Sequence, residues 1–155
     1  MLKKIFYVFC ILFIVSGKSL AADVLYYSVS DGTVRGMDIP TGVEVASIPA
    51  ATFRGAIVGN AREMAIDPIN RLLWYSATDD AIYSFHLDTL VEGPAIASGR
   101  ISGAGVGADR HLFIDYSRRH LLVTTTSGDI QRFDLETQDD LSPIPATFFT
   151  DGNVG

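Results

Sequence analysis

The sequence predicts an all-β fold built from one four-stranded unit that is repeated along the chain. Two observations carry this prediction: a repeat with a period of 48 residues that needs no gaps, and short segments of alternating apolar and polar residues bounded by turn signals. No segment after residue 21 shows sustained helical periodicity. Self-similarity at this period is typical of architectures in which each unit is covered by its neighbours.

The repeat aligns three segments that read Leu25–Ser28, Leu73–Ser76 and Leu121–Thr124. Chance would rarely produce even one identical triple among 35 aligned columns, yet five columns are identical in all three copies. They are Leu25/Leu73/Leu121, Thr41/Thr89/Thr137, Ile48/Ile96/Ile144, Val58/Val106/Val154 and Gly59/Gly107/Gly155. The units near 25–72, 73–120 and 121–155 are therefore copies of one structural unit.

Each unit is predicted to contain four short strands. The first strand, at 63–67 and 111–115, shows the period-2 alternation of a half-buried strand. The second is rich in aromatic and β-branched residues, which favour strands. Asp31-Gly32 is a hairpin signal before the third strand, because glycine accepts positive φ. Pro40-Thr41-Gly42 then turns the chain into a fourth strand around 43–48.

Four strands in a repeat of roughly 40–50 residues is the pattern of a β-propeller blade. We therefore predict a partial β-propeller of about three four-stranded blades over residues 22–155. Because closed rings have about 4–8 blades, the ring is expected to be incomplete. The first strand of the first blade falls on residues 1–21, and the chain stops where a further first strand would begin. Three interpretations stay open: a segment of a longer protein, copies that close a ring by homo-oligomerisation, or a truncated product.

Residues 1–21 have the features of a cleavable signal peptide. Lys3 and Lys4 precede an apolar run, and small residues stand before Ala22. The run is shorter than the about 20 apolar residues that a membrane span needs, so no stable membrane anchor is expected after cleavage. Cys10 lies inside the run and away from the cleavage point, which argues against a lipoprotein. The mature protein is predicted to be secreted or periplasmic.

Removal of the signal leaves a strongly acidic chain. It takes away all three lysines, so the remaining chain has nine arginines and 18 acidic residues and a net charge of −9. An acidic surface repels phosphate backbones, so nucleic acid is not an expected partner. No cysteine remains after cleavage, and strand pairing and packing must hold the fold without disulfides.

The sequence contains no recognisable catalytic motif, and we expect neither a catalytic residue nor a resident cofactor. His86, His111 and His120 are not paired with a nucleophile by any motif. Calcium binding is a weaker alternative, since calcium prefers carboxylate oxygens. Its candidate ligands are Asp67, Asp115, Asp79 and Asp80, for which capping of turns is the competing role.

Aromatic residues of the second strands are the candidate ligand-binding residues. Trp74 and Tyr75, with Tyr26 and Tyr27, would form an aromatic platform if they were exposed. The alternative is that one ring of each pair packs between sheets while the other lies against a neighbouring blade.

Two families of propeller repeats resemble this chain. The segment Met64-Ala65-Ile66-Asp67-Pro68, followed by Leu73-Trp74-Tyr75-Ser76, resembles the YWTD blades of lipoprotein-receptor-type propellers. The segment Asp38-Ile39-Pro40-Thr41-Gly42 resembles bacterial YVTN-type blades. The Tyr-Trp-Thr-Asp tetrad itself does not occur, and the repeat is longer than is usual for YWTD blades. The resemblance implies a blade type and no particular activity.

The function predicted from these observations is that of an exported, non-catalytic propeller segment. It would act as a binding or scaffold module for a protein or a small ligand. The alternatives are a fragment of a propeller enzyme, of the metal-dependent lactonase or lyase type, and a truncated product without function.

Overall fold

Ten strands form three antiparallel sheets in the part of the chain that the computed structural model describes, residues 24–54, 63–77, 79–101 and 111–149. Sheet 1 contains β1 (Val24–Ser28), β2 (Val34–Asp38) and β3 (Glu44–Ile48). Sheet 2 contains β4 (Met64–Asp67), β5 (Leu72–Ser76) and β6 (Ile82–His86). Sheet 3 contains β7 (Leu112–Asp115), β8 (His120–Thr124), β9 (Ile130–Asp134) and β10 (Asp140–Ile144). The predicted all-β class is confirmed, whereas the predicted signal peptide lies outside the described residues.

The repeat of the sequence reappears in the backbone. The strands β1, β5 and β8 begin 48 residues apart, as do β2, β6 and β9. Every described residue with positive φ belongs to one of three repeat columns. These columns are Gly32/Asp80/Gly128, Gly42/Leu90/Gln138 and Arg71/Arg119. Non-glycine residues also adopt the left-handed region in these columns. The hairpin therefore requires positive φ at these positions whichever residue occupies them.

The threonine that is identical in all three repeats stabilises the turn between the third and fourth strands. The hydroxyl oxygens of Thr41 and Thr89 each accept the backbone N–H two residues on, at 3.4 Å. That of Thr137 does the same at 3.2 Å. This local hydrogen bond explains why threonine occupies the same position in all three repeats.

The fourth strand of sheet 2 is reduced to two isolated bridges, Phe85 with Glu92 and Ile82 with Ile96. Pro94 lies between the bridges and lacks the N–H that a regular ladder requires. Its carbonyl instead accepts the Ser84 hydroxyl at 2.6 Å. The expected four regular strands are found in sheet 3, while the described part of sheet 1 has three.

Alternation along the strands gives each sheet two apolar faces. We call the face that meets the preceding sheet the front face and the one that meets the following sheet the back face. The front face of sheet 2 packs on sheet 1 through Leu73, Tyr75 and Phe85, against Val34, Ile48 and Phe53. Its back face packs on sheet 3 through Leu72, Trp74, Ile82 and Ile96, against Leu121, Val123 and Phe133. Two-sided burial of this kind holds neighbouring sheets face to face.

The first strands lie at the inner side of the stack, where β4 neighbours β7. The strand order of sheet 3 then places β10 at the outer edge. Among the described residues, no helix has the length and apolar character that crossing a membrane would need.

Candidate functional site

The candidate aromatic residues Trp74 and Tyr75 lie inside two different interfaces between sheets. Trp74 is fully buried in the cluster between sheets 2 and 3, and its indole Nε1 finds no hydrogen-bond partner among the described residues. Tyr75 is buried between sheets 1 and 2, where its hydroxyl accepts the backbone N–H of Arg54 at 2.8 Å. An aromatic ligand platform at these two residues does not fit this burial, because a ligand would have to displace a sheet to reach either ring.

Tyr26 and Tyr27 are both half-buried and point to opposite faces of sheet 1. Tyr26 packs on the back face against the cluster shared with sheet 2. Its burial raises the pKa of its hydroxyl above the ordinary value. Tyr27 lies on the front face, in the column of Tyr75.

Asp67 of sheet 2 forms a bidentate ion pair with Arg119 of sheet 3, which we call the ion bridge. The carboxylate is fully buried, and its two oxygens accept hydrogen bonds from Arg119 at 2.6 and 2.7 Å. Arg119 also donates to Glu136 at 2.8 Å, and Asn70 of sheet 2 donates to the same Glu136 oxygen at 3.3 Å. Nearby, the hydroxyl of Tyr116 donates to the Ile66 carbonyl at 3.2 Å.

The ion bridge governs the charge state of Asp67. Burial alone would raise the pKa of the carboxyl, but the hydrogen bonds from Arg119 and from the Ile69 backbone N–H outweigh it and hold the pKa below its ordinary value. The desolvation cost of a buried pair offsets much of its Coulomb attraction, but removing one partner leaves an uncompensated buried charge.

Asp115 occupies the same repeat column as Asp67 but makes its contacts within its own turn. Its carboxylate accepts hydrogen bonds from the Ser117 hydroxyl at 2.6 Å and from Arg118 at 2.8 Å. These bonds lower the pKa of Asp115 far below its ordinary value. Asp67 and Asp115 therefore both cap the first turn of their unit, as Asx turns do.

Asp79 and Asp80 lie in the turn between β5 and β6. Asp79 accepts the Tyr83 hydroxyl at 2.7 Å and the Ala81 N–H at 3.2 Å, and the Tyr83 bond is the main cause of its lowered pKa. Asp80 takes the positive-φ position of this turn. Of the four carboxylates proposed for calcium, Asp67 and Asp115 thus cap two different turns, and Asp79 and Asp80 share a third. In the described ranges, no three His, Cys, Asp or Glu side chains are grouped as a metal site.

Two arginines that the sequence did not single out connect each sheet to the outer strand of the next. Arg54 follows sheet 1 and makes an ion pair with Glu92 of sheet 2 at 2.9 Å, with its guanidinium 5.6 Å from the centre of the Tyr83 ring. Arg100 follows sheet 2 and pairs with Asp140 of sheet 3 at 3.0 Å, 5.6 Å from the Phe133 ring. The recurrence of an acid at positions 44, 92 and 140 is the signal that would have indicated these contacts.

Exposed apolar residues concentrate at one edge of the sheets. We call this the turn edge; it carries the turns at 39–43, 68–71, 87–91, 116–119 and 135–139. The Asp67–Arg119 and Asn70–Glu136 contacts hold neighbouring turns of this edge together. Of the eight large apolar residues that are exposed in the described ranges, five lie there, each 40–64% exposed: Ile39, Val43, Ile69, Leu90 and Val91. Exposed apolar side chains that form a contiguous patch mark interaction surfaces.

Two solved structures resemble this chain in fold. The WD40 repeats of RRP9 match with a TM-score of 0.56 and 12% identity over 79% of this chain and 35% of that chain. The structure of U3-55K matches with a TM-score of 0.56 and 11% identity over 79% of this chain and 36% of that one. This chain thus spans about a third of the length of these structures. No protein-family model matches the sequence, and a search of curated proteins finds no match.

A likeness at this level of identity shows the fold alone. The YWTD or YVTN blade type therefore stays a prediction. The three stacked antiparallel sheets and their likeness to WD40 repeats together show that the chain forms blades of a β-propeller.

Proposed function

We propose that the chain is part of an exported, non-catalytic β-propeller that binds a partner protein through its turn edge. The observation that carries this proposal is the set of exposed apolar side chains at the turns of sheets 1 and 2. The charged residues first considered for chemistry hold turns and interfaces instead, so they give less support to a catalytic role.

The chemistry of the turn edge suits a protein better than a small ligand. Ile39 and Val43 lie in one turn of sheet 1, and Leu90 and Val91 lie in the equivalent turn of sheet 2. A surface of this kind offers exposed apolar anchors beside polar residues, which is typical of interfaces between proteins. The neighbouring Asp38 favours a partner with a basic group at the rim of the contact.

The experiment compares the mature chain with a triple variant, Ile39→Ser, Val43→Ser and Val91→Ser. Both proteins are immobilised, and secreted and cell-envelope proteins of the source organism that bind to each are identified by mass spectrometry. A genuine partner is then purified, and its affinity for each chain is measured by calorimetry. We expect the triple variant to bind about tenfold or more weakly, because each lost anchor removes apolar contact.

The control is Phe148→Ser, which removes a still more exposed apolar side chain from the opposite edge of sheet 3. This variant should keep the affinity of the unaltered chain. Equal capture by all three proteins would contradict the proposal, as would a partner whose binding is lost only in the control.

Export is tested separately from binding. Expression of residues 1–155 in a bacterial host should release a protein whose first residue is Ala22, detected by N-terminal sequencing of the periplasmic or secreted fraction. An intact chain that remains in the cytoplasm would refute this part of the proposal. The alternative of a propeller enzyme stays a prediction, since no observation among the described residues favours it.

A further inference from the structure

The outer strands of the three sheets differ in how far their free edges are blocked. In sheet 2 the outer strand is reduced to two bridges on either side of Pro94, whose carbonyl accepts the Ser84 hydroxyl at 2.6 Å. In sheet 3, β10 contains Pro143, which has no N–H to donate, and the Ser142 carbonyl accepts Arg132 at 2.7 Å. Proline and irregular pairing of this kind protect a sheet edge from pairing with another chain.

The outer strand of sheet 1, β3, has no such block. It contains no proline, and among the described residues no strand pairs with its outer side. Glu44, Val45 and Ser47 of this strand are exposed, Val45 to 54%. Val43, which directly precedes the strand, is 57% exposed. An unprotected strand edge is a template on which a further strand can pair.

The backbone of Glu44 faces away from β2. The carbonyl of Val43 accepts the N–H of Asp38 at 2.9 Å. Antiparallel strands alternate between residue pairs that exchange hydrogen bonds and pairs that do not, so this bond makes Glu44 and Met37 a pair of the second kind. The N–H and C=O of Glu44 are therefore directed to the outer side of the sheet.

The backbone of Ser47 faces the same way. Ser47 directly precedes Ile48, and the residue of sheet 2 in the column of Ile48 is Ile96. Ile96 exchanges two hydrogen bonds with Ile82, at 2.8 and 3.0 Å. Because Ile48 pairs with β2 in the same register, the alternation of an antiparallel strand directs the N–H and C=O of Ser47 outward.

The two outward sites have the spacing that a regular strand requires. Glu44 lies opposite Met37, and Ser47 lies opposite Arg35, which is two residues from Met37 in β2. The register shift between the two sites takes up the extra residue of β3. A regular strand added to β3 would therefore meet both sites, because its own pairing groups recur every two residues.

The charge of the chain selects the kind of strand that fits. The chain has a formal net charge of −6, and Glu44 keeps 44% of its side chain exposed although it pairs with Arg35. A second copy of the chain would bring the same net charge and the same glutamate to the contact, and like charges disfavour association. A strand that carries lysine or arginine would be attracted, and its apolar residues would contact Val43 and Val45.

We propose that the outer edge of sheet 1 binds an extended, basic segment of a partner protein, which adds to β3 as a further strand. The backbone groups of Glu44 and Ser47 pair with the segment, and Val43 and Val45 contact its apolar side chains. This site shares only Val43 with the turn edge. Its test depends on Ser47 and leaves the apolar anchors of the turn edge in place, so it stands or fails apart from the proposed function.

The test uses the mature chain and, as the probe, a synthetic peptide in which valine and lysine alternate. Ser47→Pro copies Pro143, the residue of sheet 3 in the same column, and removes the outward N–H. The matched control is Ser47→Ala, which copies Ala95 of sheet 2 and keeps this N–H. Calorimetry measures the affinity of the peptide for each protein, and the fluorescence of the single tryptophan, Trp74, checks that each variant is folded.

We expect Ser47→Ala to bind the peptide as tightly as the unaltered chain and Ser47→Pro to bind it about tenfold or more weakly, because a peptide carbonyl loses its donor. The amide protons of Glu44 and Ser47 should exchange more slowly with solvent when the peptide is bound. Equal affinities of the proline and alanine variants would overturn the proposal. So would the absence of binding to the unaltered chain at about 1 mM peptide.

Two N-methylated peptides separate strand pairing from attraction between charges, and they need no variant of the chain. Each is methylated at every second amide, one at the odd positions and the other at the even positions. An added strand pairs through one of its two sides, so only one of these peptides should lose its affinity. Equal binding of both would overturn the proposal. Dimerisation of the unaltered chain in sedimentation velocity, if it is lost in Ser47→Pro, would show that a second copy occupies the edge instead.

Discussion

Replacing Asp67 by asparagine tests whether the buried ion bridge holds sheet 2 against sheet 3. The substitution keeps the shape and the turn cap but removes the charge that pairs with Arg119 at 2.6 and 2.7 Å. Removing one partner of a buried pair costs about 3–5 kcal/mol. Because Arg119 keeps its bond to Glu136 and its side chain is 19% exposed, we expect a loss nearer about 2–3 kcal/mol.

Urea unfolding followed by Trp74 fluorescence measures this loss, because Trp74 is the only tryptophan and is buried in the interface that Asp67 bridges. With a typical dependence of about 1–3 kcal/mol per molar urea, the midpoint should fall by roughly 0.7–3 M. The matched control is Asp88→Asn, which breaks the exposed pair between Asp88 and Arg71, in the same repeat column as Arg119. Solvent screens that pair, so its loss should shift the midpoint far less. Equal shifts in the two variants would refute the reasoning.

The same variant should change the acid dependence of stability. The folded pKa of Asp67 lies below its ordinary value of 3.8, so unfolding takes up a proton between the two values. The contribution of Asp67 is therefore complete above the ordinary pKa and is lost as the pH falls through the lower folded value. In Asp67→Asn the free energy of unfolding should decline less steeply over this acid range, as measured by urea midpoints at a series of pH values. An unchanged slope would show that other carboxylates carry the acid sensitivity.

Two glycine substitutions test the turns and the irregular edge of sheet 2. Gly42→Ala should destabilise the fold by about 1 kcal/mol through backbone strain alone, because φ is +67° and no atom lies within 4 Å of the added methyl group. Its control is Gly99→Ala, where the space is equally open and φ is not positive. That substitution should be neutral or slightly stabilising. Gly93→Ala should cost about 1–3 kcal/mol, because its Cβ would lie 2.6 Å from the Ser84 hydroxyl oxygen and 3.0 Å from Leu72. Thermal unfolding followed by circular dichroism measures both; equal melting temperatures for Gly42→Ala and Gly99→Ala, or an unchanged one for Gly93→Ala, would contradict them.

Much of the fold follows from the repeat in the sequence. The strand positions and the hairpin turns could be predicted because they depend on interactions within one unit, such as the hydrogen bond that the N–H of Val43 donates to the Thr41 hydroxyl oxygen. The reduced fourth strand of sheet 2 was not predicted. Its signal, Gly93-Pro94, was present in the sequence, but its effect depends on the approach of Ser84 from the neighbouring strand.

The candidate site residues were less predictable. Sequence alone offered Trp74, Tyr75 and the aspartates as ligands, because their chemistry suits binding as well as burial. Their actual contacts depend on which sheet lies opposite: Trp74 is covered by sheet 3, and Asp67 meets an arginine 52 residues away. Arg54 and Arg100 were overlooked for the same reason, since each finds its acid in a different sheet.

The sequence by itself determined that the chain consists of repeated four-stranded units, because strand alternation and turn chemistry are local properties repeated at a fixed period. Only the tertiary structure decided which charged residues join neighbouring sheets and which apolar faces are covered. Those features depend on distances between residues far apart in sequence, and the same residue type is buried in one unit and half-exposed in another. Asp67 and Asp115 share one column of the repeat, yet only Asp67 has a described sheet beyond it to supply the arginine.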